Sequence, residues 1–253
     1  MTGLPVKCIL LAGGMGTRLK DVVADVPKPM APVRDKPFLE YIINFIVSQG
    51  MRDIIISVGH MAGVIEGYFG DGSSFGARIS YCREESPLGT GGAIREAMKM
   101  ADCSRCFVLN GDTFNDVDLR EMERFHLSRG NIVTMGLIFV DNAGRYGSVG
   151  TDGENRITGL HEKKGTGPGY INCGIYIIEK GLVDRMPGGR FSFEADLLPG
   201  ILDIGIRGFV SRGFFIDIGI PETYRYINEH AYILAEICRG PHRRPQRQTG
   251  AGQ

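Results

Sequence analysis

Short apolar runs punctuate the first 140 residues, at positions 6–11, 53–58, 78–82, 106–109 and 132–140. Each has the length of a strand. Between them the period changes. Phe38, Tyr41, Ile42, Phe45 and Ile46 fall at i, i+3, i+4, i+7 and i+8, which is one face of a helix. Asp35 is its candidate N-cap, and Pro37 fits its first turn. Ala93, Ala97, Met100 and Ala101 form a second apolar stripe. Alternation of this kind predicts an α/β fold: a Rossmann-like, mostly parallel sheet with helices on both faces. Ligands bind such sheets at the carboxyl ends of the strands.

The second half has a different rhythm. Positions 146–151, 156–162 and 170–178 read as strands joined by short Gly-rich turns, an antiparallel addition or lid beside the main sheet. A last strand at 213–218 precedes a helix running from Pro221 to about Cys238. Tyr224, Ile227, Ala231 and Leu234 share one face of that helix, a face that suits a partner and hence a homodimer. The final residues carry no apolar side chain larger than Ala or Pro, so 239–253 reads as a disordered tail after a single domain at 1–238.

Composition narrows the function. The chain has 253 residues, with Lys+Arg at 29 and Asp+Glu at 29, for zero formal net charge. A nucleic-acid binder needs a basic field, so an anionic ligand must instead meet a local positive cluster. Glycine stands at 37 with no collagen-like period, which points to turns and close backbone approaches. The six cysteines are scattered, and four lie inside apolar runs. That pattern fits reduced, buried thiols in a cytoplasmic protein. Cys103 and Cys106 have CxxC spacing, but no second pair or spaced histidines complete a zinc site. No apolar stretch is long enough for a membrane helix or an export signal.

Several segments carry candidate chemistry. Leu11-Ala12-Gly13-Gly14-Met15-Gly16-Thr17-Arg18-Leu19 directly follows a predicted strand. Its glycines let backbone N–H groups curl around phosphate oxygens, and Arg18 adds a bidentate donor. Leu19 stands where the dinucleotide fingerprint needs its third glycine, and the Gly-Lys-Ser/Thr of a Walker loop is missing. Lys28, between Pro27 and Pro29, sits on a stiff extended segment that pre-places an ammonium. Pro87-Leu88-Gly89-Thr90-Gly91-Gly92 follows a strand and opens a helix. Thr90 offers a capping hydroxyl there, and the glycines leave room for a flat base or sugar ring. Asp112 and Asp217 each end an apolar strand, and two such aspartates can converge on one Mg²⁺.

In combination these segments resemble the sugar-1-phosphate nucleotidylyltransferase family: LAGGMGTRL, PKPM, PLGTGGAI, NGDT, Glu162-Lys163, Asn172-Cys173-Gly174 and Asp217 occur in that family's order. The resemblance spans about residues 6–236. It implies a glycosyltransferase-A-like nucleotidyltransferase fold and the reaction of an NTP with a sugar 1-phosphate to give an NDP-sugar and pyrophosphate. The spacing and the segment FFIDIGIPETY are most like those members that guanylylate a heptose 1-phosphate. Mannose-1-phosphate guanylyltransferases, an N-acetylmuramate-1-phosphate uridylyltransferase and a non-catalytic regulatory subunit are the alternatives.

The resemblance also implies roles. Leu11, Ala12, Gly13, Gly14, Gly16 and Thr17 would cradle the nucleotide, Arg18 would neutralise the leaving pyrophosphate, and Lys28 the phosphates near the α position. Pro87, Gly89, Thr90 and Gly91 would flank the base. Asp112 and Asp217 would hold Mg²⁺, and Lys163 the sugar phosphate. Tyr146, Gly147, Glu162, Asn172 and Gly174 would line the sugar pocket. Guanine presents two adjacent donors that one carboxylate accepts together, so Glu84 or Glu85 at the base loop points to GTP.

Overall fold

Residues alternate across the sheet strand by strand. Cys8 and Leu10, Ile54 and Ile56, Phe107 and Leu109 join one core cluster. Ile9, Ile55, Cys106 and Val108 join the other. Two buried faces need cover on both sides, which is what the alternating helices supply. Each fully buried Ile or Leu contributes about 1.5–3 kcal/mol.

The computed structural model describes residues 7–14, 25–161 and 167–239. Strand β1 (Lys7–Leu11) is followed by a small hairpin, β2 (Pro32–Val33) and β3 (Lys36–Pro37), then α1 (Phe38–Ser48). Next come β4 (Asp53–Val58), α2 (Ala62–Phe69), β5 (Arg78–Arg83), α3 (Gly89–Met100) and β6 (Arg105–Asn110). Then follow β7 (Thr113–Asn115), α4 (Leu119–Arg129), β8 (Val133–Val140), β9 (Ser148–Thr151), β10 (Ile157–His161) and β11 (Gly169–Glu179). After a stretch of tight helical turns come β12 (Ile206–Ser211), β13 (Phe215–Asp217), α5 (Pro221–Glu229) and α6 (Tyr232–Cys238).

The main sheet has seven strands in the order β12-β8-β11-β6-β1-β4-β5. β1 pairs in parallel with β4 and β6, β4 with β5, and β8 with β12. Only β11 runs antiparallel to its sheet neighbours, β6 and β8. Helix α1 covers the face of the first cluster and α3 that of the second. The mostly parallel α/β expectation therefore holds.

Several local expectations do not. The run at 170–178 is no lid: β11 lies inside the main sheet, because its apolar residues are buried on both faces. The lid-like ribbon consists of β9 and β10 alone. The segment at 213–218 contributes only β13, which pairs with β7 in a separate two-stranded sheet. The C-terminal helix is two helices. His230 leaves the helical region (φ −113°, ψ 29°), stacks on Tyr226 and bonds its carbonyl through Nδ1 at 2.8 Å. Tyr224, Ile227, Ala231 and Leu234 are buried in the first core cluster, so that face is covered by this chain rather than by a partner. Asp35 sits in the β2–β3 turn and caps nothing, because α1 starts directly behind Pro37. Of the expected α3 stripe, Ala93 and Ala97 are buried, as is Ala101 just past the helix, together with Ile94 and Met98, whereas Met100 is exposed. The tail from residue 240 lies outside the described residues.

Candidate active site

β1, β5 and β6 all end at one edge of the sheet, and a cleft of about 470 Å³ opens there. Leu11, Gly13 and Gly14 enter it from β1, and Glu84, Pro87, Gly89 and Thr90 from the segment behind β5. Asn110 and Asp112 enter from β6, with Lys28 and Gly219 alongside. Most of the described phosphate-loop and base-loop candidates thus share one cavity with Lys28 and Asp112, while Asp217 stands beside it, outside the lining. Ala12 is buried behind the loop, its N–H donating to the Ser57 carbonyl at 2.9 Å. Gly16, Thr17, Arg18, Glu162 and Lys163 lie outside the described residues.

The floor of the cleft is a charge cluster. Lys28 opens a one-turn 3₁₀ segment, Lys28–Met30, with Pro29 and Met30 buried beneath it. Its Nζ stands 2.6 Å from Asp112 Oδ2 and 3.5 Å from Asp217 Oδ1. Asp217 reaches this point because β13 pairs with β7, opposing Asp217 to Thr113. The Ile218 N–H also donates to the Asp112 carbonyl at 3.1 Å. The two aspartates, far apart in sequence, therefore converge as expected. Arg145 Nη2 completes the cluster 3.2 Å from Asp217 Oδ2. No group of three or more His, Cys, Asp or Glu side chains placed to hold a metal occurs among the described residues. Asp112 in the lining and Asp217 next to it, both on Lys28, are nonetheless the donor set Mg²⁺ uses, since it takes one or two carboxylates and completes its shell with water and phosphate oxygens.

The base side is organised differently from the sequence expectation. Glu84 lines the cleft, accepting from Ser57 Oγ at 3.1 Å and from the Leu88 N–H at 2.9 Å. Each oxygen keeps a lone pair for a ligand. Glu85 is exposed and is not part of the lining. Thr90 does not cap α3, which begins one residue earlier. Its hydroxyl donates to Glu194 Oε2 at 2.7 Å and accepts from the Phe193 N–H at 2.9 Å. Gly91 faces no ligand, because a Cβ there would run into the Phe191 ring. The glycines of this loop thus serve packing against 187–193, and Arg190 on that segment enters the cleft.

The described residues expected to line the sugar pocket, Tyr146, Gly147, Asn172 and Gly174, are not part of the cleft's lining. β11 bulges between Asn172 and Tyr176. Asn172 Oδ1 accepts from the Gly174 N–H at 3.0 Å, and its amide donates to the Tyr176 hydroxyl. That hydroxyl donates to Glu194 Oε1 at 2.9 Å. Burial pushes the Tyr176 phenol well above its ordinary range, with the Glu194 charge acting the same way. Gly174 has φ +74°, and its missing Cβ leaves room for Asn110. Tyr146 packs edge-on against Phe215, and Arg145 lies over its ring. Burial raises the Tyr146 phenol as well. Gly147 sits in the turn before β9 with φ +85°.

Sequence reasoning missed Arg145, Arg190, Glu194 and Gly219. Arg145 adjoins a named residue, and Asn110 stands inside the quoted NGDT motif. Nothing local marks Arg190 or Glu194.

Residues 7–231 match the profile of the family described as nucleotidyl transferase. The chain belongs to that family. The D-glycero-alpha-D-manno-heptose 1-phosphate guanylyltransferase of Campylobacter jejuni is 40% identical over 220 residues, 87% of this chain and 97% of that protein. The enzyme of the same name from Aneurinibacillus thermoaerophilus is 41% identical over 222 residues, 87% and 96%. Among solved structures, HddC from Yersinia pseudotuberculosis matches with a TM-score of 0.83 at 36% identity, over 89% of this chain and 99% of that one. HddC complexed with GMP-PN matches with a TM-score of 0.82, also at 36% identity, with the same coverage of both chains. The expected family and fold are borne out.

Proposed function

We propose that this nucleotidyl transferase joins the guanylyl group of GTP to D-glycero-α-D-manno-heptose 1-phosphate. The observation that carries the reading is the Lys28 ammonium, held between Asp112 and Asp217 on the floor of a glycine-edged cleft. It is supported by the near full-length similarity to guanylyltransferases of that name. A phosphate oxygen of the sugar 1-phosphate attacks the α-phosphorus of GTP. The bond from that phosphorus to the bridging oxygen of the β-phosphate breaks, and pyrophosphate leaves with the electron pair. Such chemistry rests on positioning and charge neutralisation more than on covalent help.

Each residue has a role in this reading. Backbone N–H groups at Gly13 and Gly14 receive phosphate oxygens, and Gly16, Thr17 and Arg18 extend that cradle to the leaving pyrophosphate. Lys28 neutralises charge near the α-phosphate, and its two carboxylate partners fix where the ammonium stands. Arg145 holds Asp217 from the other side. Glu84 accepts guanine N1–H and the 2-amino group. Lys163 and Glu162 meet the sugar phosphate, while Tyr146 and Asn172, outside the cleft's lining, act by positioning their neighbours Arg145 and Gly174. Asp112 and Asp217 would hold Mg²⁺, which would supply neutralisation of the phosphate charge. Residues 1–238 act as one unit, and the reaction runs in the cytoplasm, where GTP is available. No helix among the described residues is long and apolar enough to cross a membrane.

The sugar is tested by supplying GTP with heptose 1-phosphate or mannose 1-phosphate and comparing kcat/KM for the GDP-sugar formed. The heptose should be favoured about 10-fold or more, the discrimination that contacts to extra substrate hydroxyls allow. Equal or better use of mannose 1-phosphate would move the assignment to a mannose enzyme.

A further inference from the structure

The CxxC pair is the one motif that the proposed reaction leaves unused. Cys103 lies in the turn between α3 and β6, and Cys106 lies on β6 opposite Lys7 of β1. This is the amino end of the strand whose other end carries Asn110 and Asp112. The two Sγ atoms are 3.4 Å apart and hydrogen-bonded to each other. Of the other cysteines, Cys8, Cys82 and Cys173 are buried and Cys238 is half-buried. Cys103 is itself half-buried, so a small reagent reaches it, whereas Cys106 is enclosed.

The surroundings separate the two sulfurs chemically. The hydrogen bond between the two sulfurs holds the Cys103 thiol below its ordinary range against the opposing effect of burial, helped by the Lys7 N–H and the ammonium groups of Lys7 and Lys180. The same bond and burial push Cys106 up. The Arg105 carbonyl, 3.0 Å from Cys103 Sγ, opposes ionisation. Lys180 is anchored beside the turn, with Nζ donating to the Ala101 carbonyl at 2.6 Å and its N–H to the Ser104 carbonyl at 2.7 Å. A half-exposed sulfur flanked by cations and a hydrogen-bonded second sulfur is the setting of an attacking and a resolving cysteine.

We propose that Cys103 and Cys106 are a peroxide-reactive dithiol that closes to an intramolecular disulfide. The Cys103 thiolate attacks one oxygen of hydrogen peroxide, the O–O bond breaks, and hydroxide leaves and is protonated to water. Cys103 is then a sulfenic acid. The Cys106 sulfur attacks it, the S–O bond breaks, and a second water leaves with the Cys106 proton. The two sulfurs are oxidised by two electrons and the peroxide is reduced to two waters. Closing the bond brings the sulfurs from 3.4 Å to about 2.05 Å.

The test is thiol mapping of the full-length protein after a brief exposure to a few equivalents of hydrogen peroxide. Free thiols are blocked with N-ethylmaleimide in denaturant, and the digest is read by mass. The expected product links the Cys103 and Cys106 peptides, leaves the other four cysteines labelled, and reverts with dithiothreitol. Dimedone added with peroxide to Cys106→Ser should mark Cys103 about ten-fold faster than Cys238. Six labelled cysteines after peroxide, a disulfide through another pair, or a dimedone adduct forming first on Cys238 would each overturn the proposal. The wild-type map stands even if the variant does not fold.

Discussion

Replacing Gly174 by alanine isolates the device that holds the edge of the cleft in shape. The added Cβ meets two costs. At φ +74° an L side chain is strained by about 1–2 kcal/mol. The Cβ would also lie 2.7 Å from Asn110 Nδ2 and 3.1 Å from its Cγ, which forces the amide aside and costs about 1–3 kcal/mol of overpacking. The sum is about 2–5 kcal/mol, or roughly 4–20 °C in melting temperature for a chain of this size. Asn110 lines the cleft beside Asp112, so a displacement approaching 1 Å should lower kcat/KM on the order of 10²-fold. The assay is a melting curve with GTP turnover, run on Gly174→Ala, Asn110→Ala and the double variant. Truncating Asn110 removes the two closest contacts and leaves its Cβ at 3.2 Å and the φ strain in place, so the double variant should regain only most of the overpacking part. Activity should stay low in all three. A Gly174→Ala protein that melts within a degree of wild type at full turnover would refute the reasoning. So would strict additivity of the two stability costs, because it denies that the groups touch.

Three further outcomes follow from the same geometry. Asp112→Asn should leave melting temperature within a few degrees and lower turnover about a thousand-fold or more, measured as pyrophosphate released with Mg²⁺ present; near-normal turnover would remove Asp112 from the reaction. Glu84→Gln should reduce the GTP-over-UTP ratio of kcat/KM by roughly 10–100-fold, the cost of about 1–3 kcal/mol for one unmatched donor, and an unchanged ratio would take Glu84 off the base. His126 is buried with Nδ1 2.8 Å from Thr134 Oγ1 and Nε2 3.0 Å from Glu179 Oε1, and burial lowers its pKa below the unfolded value. As pH falls below about 6.5 the unfolded chain takes the proton first, so stability drops there, with a slope limited to about 1.4 kcal/mol per pH unit for one proton. The melting temperature of His126→Gln should therefore fall less steeply than that of wild type between pH 7 and 5, and parallel curves would contradict it.

Much of the architecture is legible because strand length and helical spacing are local properties. The alternation through the first 140 residues yields the parallel half of the sheet, and the glycine loop behind β1 yields the cleft. Asp112 and Asp217 are legible as a pair because both end apolar strands. Strand order is not local. The sequence at 170–178 records burial on both faces of β11, but not that β11 sits between β6 and β8. Thr90 and Gly91 mislead for a related reason. Their residue types suit a cap and an open ligand surface, yet a segment a hundred residues later, Phe191 to Glu194, claims both. Arg145 and Arg190 become visible only once loops are placed around the cleft. Glu84 and Glu85 are adjacent and alike in sequence, and the backbone alone decides that Glu84 faces inward.

In the proposed function, the cleft around Lys28, Asp112 and Asp217 transfers a guanylyl group to a sugar 1-phosphate. Pyrophosphate release from GTP, UTP, dTTP and ATP, each with heptose 1-phosphate and Mg²⁺, tests it most directly. The predicted result is rapid release with GTP, at least about tenfold slower release with the other three, and none without the sugar phosphate. Equal or faster release with UTP would contradict the guanine assignment, and no release with any nucleotide would contradict catalysis at this cleft.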